Sequence, residues 1–170
     1  MKRIISILIL SSFLSFIACK NSTENEIRNK YIAEWKSTKK PIPYTATLKI
    51  NNDNTFDFFS GACMSRSNSK GKWRIENDTI ILNSFKPKNC CFLIVFGGNC
   101  EKYGKIGENY MFKKSFKDCD IKTEDLYDVF ENTKFYIKNE KLVFKKSKIN
   151  DCEDLEKWNN DFVLGKTSME

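Results

Sequence analysis

The feature that most restricts this chain is a period of two that returns after every short polar break. In "TATLKIN", Ala46, Leu48 and Ile50 alternate with Thr47 and Lys49, "NDNT" supplies turn residues, and "FDFF" resumes with Phe56 and Phe58 on one face. "KGKWRIENDTIILNS" repeats the device: Trp73 and Ile75 oppose Lys72, Arg74 and Glu76, Asn77 and Asp78 turn the chain, and Ile80 and Leu82 return. "KFYIKNEKLVFKK" does so again, with Phe135 and Ile137 facing inward, Asn139 and Glu140 turning, and Leu142 and Phe144 coming back. A half-apolar strand cannot bury its face alone, so consecutive hairpins must meet in one sheet that closes or folds over. The expectation is a mostly β domain, an antiparallel meander forming a small barrel or sandwich. "NDFVLGK" is expected to add a closing strand, and "TEDLYDVFEN" and "EDLEKW" one or two short helices, the first capped by Thr123 with Leu126, Val129 and Phe130 on one side.

Between the second and third hairpins lies "PKNCCFLIVFGGNCEKYGKIGENY", an apolar run from Phe92 to Phe96 beside glycine-rich turns. It reads as a long excursion tied by disulfides. The 170 residues suffice for one domain with a real core, expected over residues 31–170. Trp35, Trp73, Trp158 and the phenylalanines either fill that core or line a ligand cavity whose residues the sequence does not assign.

The N-terminus is different in kind. Met1-Lys2-Arg3 is a basic head, and Ile4 to Ala18 is an apolar run without charge or proline. That run is short of the roughly 20 apolar residues a spanning helix needs and fits an export signal. Phe16-Ile17-Ala18-Cys19 resembles the lipobox of bacterial lipoprotein signal peptides, with Phe16 where leucine is usual. The resemblance implies removal of residues 1–18, a diacylglyceryl thioether on Cys19 and N-acylation of the new terminus. Several acyl chains anchor durably where one is marginal. "KNSTENE" then reads as part of a flexible tether over residues 19–30, and Lys20 at the second mature position favours the outer membrane, facing the periplasm or the outside. Three further stretches, "YIAEWKST", "INNDNTFDFF" and "GKWRIENDTIIL", are similar to small lipocalin-like lipoprotein domains, which implies a lipocalin-like barrel.

Charge and chemistry narrow the function. Lys plus Arg number 29 and Asp plus Glu 22, a net +7 that becomes +5 without Lys2 and Arg3. A lysine-rich surface suits an anionic envelope component or an acidic protein partner. Nucleic acid is not expected, because the lysines are dispersed among acidic residues. There is no histidine, which removes the commonest general base and every Ser-His or Cys-His nucleophile pair. Carboxylates such as Glu124, Asp125, Asp151, Glu153 and Asp154 sit in polar, turn-like sequence and read as loop charges. "GGNCEKYGKI" misses the phosphate-loop spacing, and "NNDNTF" lacks the glycine of a calcium loop.

Apart from Cys19, six cysteines remain: Cys63, Cys90, Cys91, Cys100, Cys119 and Cys152. In an exported domain they are disulfide candidates. Bonding between the neighbours Cys90 and Cys91 would be strained, so Cys63 and Cys100 are expected to serve that pair and Cys119 to join Cys152. The metal alternative is a soft site at Cys63 and Met64 for Cu(I), since no CxxC spacing occurs. The resulting expectation is a monomeric, membrane-anchored, non-enzymatic binding module without a cofactor, for a small apolar ligand, an envelope component or a partner protein. The alternatives are a redox- or copper-responsive envelope protein using Cys63, Met64, Cys90, Cys91 and Cys100, and an inhibitor presenting the 97–110 segment.

Overall fold

A computed structural model describes residues 25–38, 44–62, 65–97, 113–121, 125–145 and 163–167. Two compact units emerge, Met1–Ile32 and Ala33–Glu170. In the first, residues 25–31 form a short helix, α1, at the end of the stretch read as tether. Its last turn is closed by Ile32 N donating to Arg28 O at 3.4 Å, and Lys30 pairs with Glu26 one turn earlier at 3.7 Å.

In the second unit the alternating stretches become strands: β1 Ala33–Ser37, β2 Tyr44–Ile50, β3 Thr55–Ala62, β4 Ser65–Glu76, β5 Thr79–Ser84, β6 Phe92–Val95, β7 Lys113–Lys114, β8 Asp125–Val129, β9 Thr133–Lys138, β10 Lys141–Lys145 and β11 Val163–Lys166. Eight of these close a barrel in the order β1-β2-β3-β4-β5-β9-β10-β11, and β11 returns to β1 with Ser37 opposite Leu164. Every pairing around the ring is antiparallel. The expected meander is therefore present, as a closed barrel and not an open sandwich, and it is consistent with a lipocalin-like fold.

The register carries one inward set around the whole ring. Trp35 faces Leu48, Leu48 faces Phe58, Phe58 faces Ser69, Trp73 faces Leu82, Ile80 faces Phe135, Phe135 faces Phe144 and Leu142 faces Leu164. Trp35, Leu48, Ile80, Leu82, Phe135, Leu142 and Leu164 are all essentially without exposed surface. The turns pass through positive φ at Asn54, Asn77, Asn132, Asn139 and Glu140, a region asparagine tolerates and glutamate does not favour. Trp73 seals the β2–β3 turn, its indole Nε1 donating to Asn51 O at 2.9 Å and its backbone N to Asn54 O at 2.8 Å.

β4 is the longest strand and changes partner along its length. It pairs with β3 over Ser65–Lys72 and with β5 over Gly71–Glu76. Gly71 sits where the two ladders overlap. A Cβ there would lie 2.1 Å from Asn83 O and 2.5 Å from a carbon of the Phe56 ring, so only glycine lets the strands close at this point. Beyond Gly71 the edge of β4 vacated by β5 is taken by β8, which runs parallel to it with Ser67 opposite Leu126. β6 pairs parallel with β8, and β7 antiparallel with β6. These three strands belong to a single insertion, residues 85–132, between β5 and β9.

Two sequence expectations are corrected here. The helix expected in "TEDLYDVFEN" is strand β8, flanked by Phe130. Leu126, Val129 and Phe130 fit a helical spacing, but Tyr127 faces outward, buried and bonded to Phe85 O of the 85–91 segment, while Asp128 and Phe130 face the lumen. A strand covered on both sides loses its alternation and cannot be told from a helix by periodicity. The disulfide map also differs: Cys90 bonds Cys119, with Cα atoms 5.7 Å apart. The β6–β7 ladder and the bond from Ser115 N to Cys91 O bring these two chain segments together. Cys90 therefore does not pair with Cys63 or Cys100, nor Cys119 with Cys152. Thr123, Trp158, "EDLEKW", and Cys19, Cys63, Met64, Cys100 and Cys152 lie outside the described residues.

Candidate functional site

The insertion does two things to the barrel, one inside and one outside. Inside, the paired strands β6 and β8 turn alternate residues toward the lumen, ending with Phe96 and Phe130, which stack with centroids 4.4 Å apart. Phe96 also meets Phe58 of β3 at 5.5 Å, Phe144 of β10 at 5.4 Å and Phe135 of β9 at 5.7 Å. β3 and β10 stand opposite each other in the eight-stranded ring. A ring that touches both bridges the lumen from wall to wall, at separations typical of packed aromatic pairs. Phe56 and Phe58 complete the cluster edge-on to Phe130 at 5.2 and 5.0 Å.

Beside the rings lies a polar layer, built because β4 continues its inward frame with serines: Trp73, Gly71, Ser69 and Ser67 share one face. Ser60 of β3 and Ser84 of β5 join them opposite Ser67 and Gly71. Ser69 and Ser84 hydroxyls are 2.7 Å apart, and Ser84 Oγ also donates to Asp128 O at 3.2 Å and accepts from Phe130 N at 2.9 Å. These bonds stitch the end of β5 to β8. Asp128, 8% exposed, enters the same layer and accepts a hydrogen bond from Ser60 Oγ at 3.3 Å. Ser67 Oγ faces this layer, 5% exposed as a residue; it makes no well-formed hydrogen bond, yet it lies near enough to the Asp128 carboxyl to act on it.

Burial pushes the Asp128 carboxyl up to about 6, with the hydroxyls of Ser67 and Ser60 acting in the opposite direction. Among the described residues no cation pairs with it. The carboxyl thus stands beside the hydroxyls of Ser60 and Ser67, on the strand that also carries Phe130 into the aromatic cluster. Its effect is on the fit of the insertion into the barrel.

Outside, residues 85–91 run across the outer face of β8. Tyr127 points outward beneath them, 8% exposed, its hydroxyl within donating distance of Phe85 O at 2.9 Å and Lys70 O at 3.0 Å. Ser115 pins the far end of the same segment, donating to Asn89 O at 2.9 Å and accepting from Cys91 N at 3.0 Å. The Cys90–Cys119 bond fixes the crossing. Phe59, Phe85 and Phe116 are 45%, 46% and 48% exposed, the large apolar side chains left in water among the described residues.

Of the site residues expected from sequence, Cys90 and Cys119 are brought together and Cys91 is buried next to them. The sulfur-ligand alternative thus loses Cys90, whose sulfur is bonded. Trp35 and Trp73 are core residues, 1% and 3% exposed. Asp128 and the inward serines were missed. Extending the frame of Trp73 backward through Gly71, Ser69 and Ser67 would have revealed the serine face; nothing local marks Asp128 as inward.

The fold and this site define an eight-stranded up-and-down barrel with an aromatic cluster to which a strand insertion contributes Phe96 and Phe130. Comparison with protein families, with curated proteins and with solved structures finds no match.

Proposed function

We propose that the chain is a lipid-anchored, non-enzymatic binding module of the bacterial envelope, held at the outer membrane through Cys19, which recognises its partner with the outer side of the insertion and not with the lumen. One observation carries this reading. Phe96 joins opposite walls of the barrel through ring contacts, so an apolar ligand has no vacant place at that level, while the same insertion leaves Phe85 and Phe116 in water. A barrel filled by its own side chains is a rigid mount, and the irregular segment on a rigid mount is where recognition is commonly placed. The basic balance of the chain favours an anionic envelope component or an acidic protein as partner.

The test has two arms. Intact mass of the membrane-extracted protein, before and after reduction, reports acylation at Cys19 and the number of disulfides; Cys19→Ser is expected to abolish both cleavage and attachment. Binding of the detergent-solubilised protein to immobilised outer-membrane fragments is then compared with uptake of a small fluorescent naphthylamine. Capture that falls with Phe85→Ser and Phe116→Ser, without saturable dye uptake, supports the reading. Saturable one-to-one uptake by the wild type overturns it in favour of a luminal ligand.

A further inference from the structure

The three exposed phenylalanines share one side of the barrel, and their placement can be read from the ladders. Phe59 lies opposite Asn68 with its side chain outward, since its neighbours Phe58 and Ser60 face the lumen. Phe85 extends β5 on the other edge of β4, its backbone N donating to Lys70 O at 2.8 Å, and Ser84 before it faces inward. With strands about 4.8 Å apart and two residues spanning about 7 Å, Phe59 and Phe85 are separated by roughly 12 Å across Asn68 and Lys70. Phe116 follows Ser115, which is bonded to the far end of the segment that Phe85 begins.

The charges around these rings are mostly of one sign. The 85–91 segment carries Lys86 and Lys88, both exposed, and no acidic residue. Lys114 and Lys117 flank Phe116 and are exposed, with Asp118 and Asp120 beyond them. Arg66 is exposed two residues from Asn68 on β4, and Lys70 is matched by Asp57 at 2.8 Å. Phenyl rings spaced among lysines match the head-group layer of an anionic bilayer, where the rings enter the acyl boundary and the ammonium groups meet phosphates. A protein partner of that size would also need a cluster of buried anchors, whereas these rings stand apart.

We infer that the outer side of the insertion, with Phe59, Phe85 and Phe116 among Lys86, Lys88 and Lys117, docks the domain onto anionic phospholipid head groups. The inference rests on the binding-module reading and names its partner. Docking would lay the barrel against the surface from which its tether hangs, with the insertion toward the lipid and β10, β11 and β1, which stand opposite β3, β4 and β5 in the ring, away from it.

The experiment footprints the full-length, membrane-extracted protein after reconstitution in vesicles. Amine acetylation at each lysine is followed by mass spectrometry in phosphatidylcholine vesicles with and without about one third phosphatidylglycerol. At about 1 kcal/mol per lysine near an anionic surface, Lys86, Lys88 and Lys117 are expected to react about fivefold more slowly on the anionic vesicles. Lys36 on β1 and Lys141 on β10, which stand opposite β5 and β3 and are exposed, serve as controls and keep their rates. The protection is lost at high salt and in Phe85→Ser with Phe116→Ser. Equal rates on both vesicles, or equal protection of Lys141, overturn the inference. Protection that ignores lipid and follows protein density indicates a second copy and overturns it too. If protection is absent while outer-membrane fragments are still captured through Phe85 and Phe116, docking to phospholipid fails and the module reading stands. If neither is seen, both fail.

Discussion

Asp128 makes a prediction with an unusual sign. Its carboxyl is buried against serines, and burial raises it from 3.8 to about 6. A carboxyl that binds its proton more tightly in the native state than in the unfolded one adds stability that is complete below pH 3.8 and is lost as the pH rises through 6. The full difference is about 2 pH units, or about 3 kcal/mol. Between about pH 5 and pH 7 the native state releases most of one proton while the unfolded state is already ionised, so the domain loses about 1 kcal/mol in that interval.

The interval is clean because the chain has no histidine, and no side chain with an ordinary pKa titrates there. Asp57 and Asp53 are lowered, by the hydrogen bonds from Lys70 and from Thr55 respectively, so their contributions fall away only below the usual carboxylate range. Urea unfolding of the oxidised protein at a series of pH values measures the effect. Asp128→Asn is expected to flatten the dependence and to be more stable than the wild type above neutrality, by as much as about 3 kcal/mol, because an amide pays no ionisation cost in the same site. A wild type equally stable across this interval, or an asparagine variant that is weaker at pH 8, would refute the reasoning.

Three other perturbations test the frame around this site. Phe96→Ala removes the ring that meets both walls and is expected to cost about 3–5 kcal/mol in thermal or urea unfolding while admitting benzene-sized solutes; no loss would mean that the ring does not bridge the lumen. Gly71→Ala places a methyl group against Asn83 O and the Phe56 ring and is expected to cost about 3 kcal/mol or more, read as a fall in melting temperature. Glu140→Gly, in the two-residue turn between Lys138 and Lys141, relieves a glutamate at φ 59° and is expected to gain about 1 kcal/mol by the same measurement.

The barrel was legible where one face of a strand meets the lumen and the other meets water. Leu48, Phe58, Trp73, Phe135 and Leu142 each stand in such strands, and each is buried as its frame requires. Ile81 breaks the rule: it lies on the outer parity between Ile80 and Leu82 yet is 1% exposed. β8 was illegible for a physical reason of the same kind, because Tyr127 on its outer face is covered by a segment more than thirty residues earlier in the chain, so apolar residues stand on both faces and carry no period of two. The Cys90–Cys119 bond was illegible because β6 and β7 are too short, at 4 and 2 residues, to announce their pairing.

The insertion's position follows from the barrel's own geometry. β4 must run past β5 to complete its ladder with β3, so an edge is left open at Arg66, Ser67 and Asn68, and an open edge invites pairing with another chain. Filling it with β8 satisfies those backbone groups within the same molecule. The strand that fills it brings a carboxyl into the lumen at Asp128 and, through its partner β6, a ring at Phe96 that completes the core. The carboxyl opposes this closure above pH 6 and the rings favour it, so the seam that closes the β4 edge is also one whose stability changes with pH.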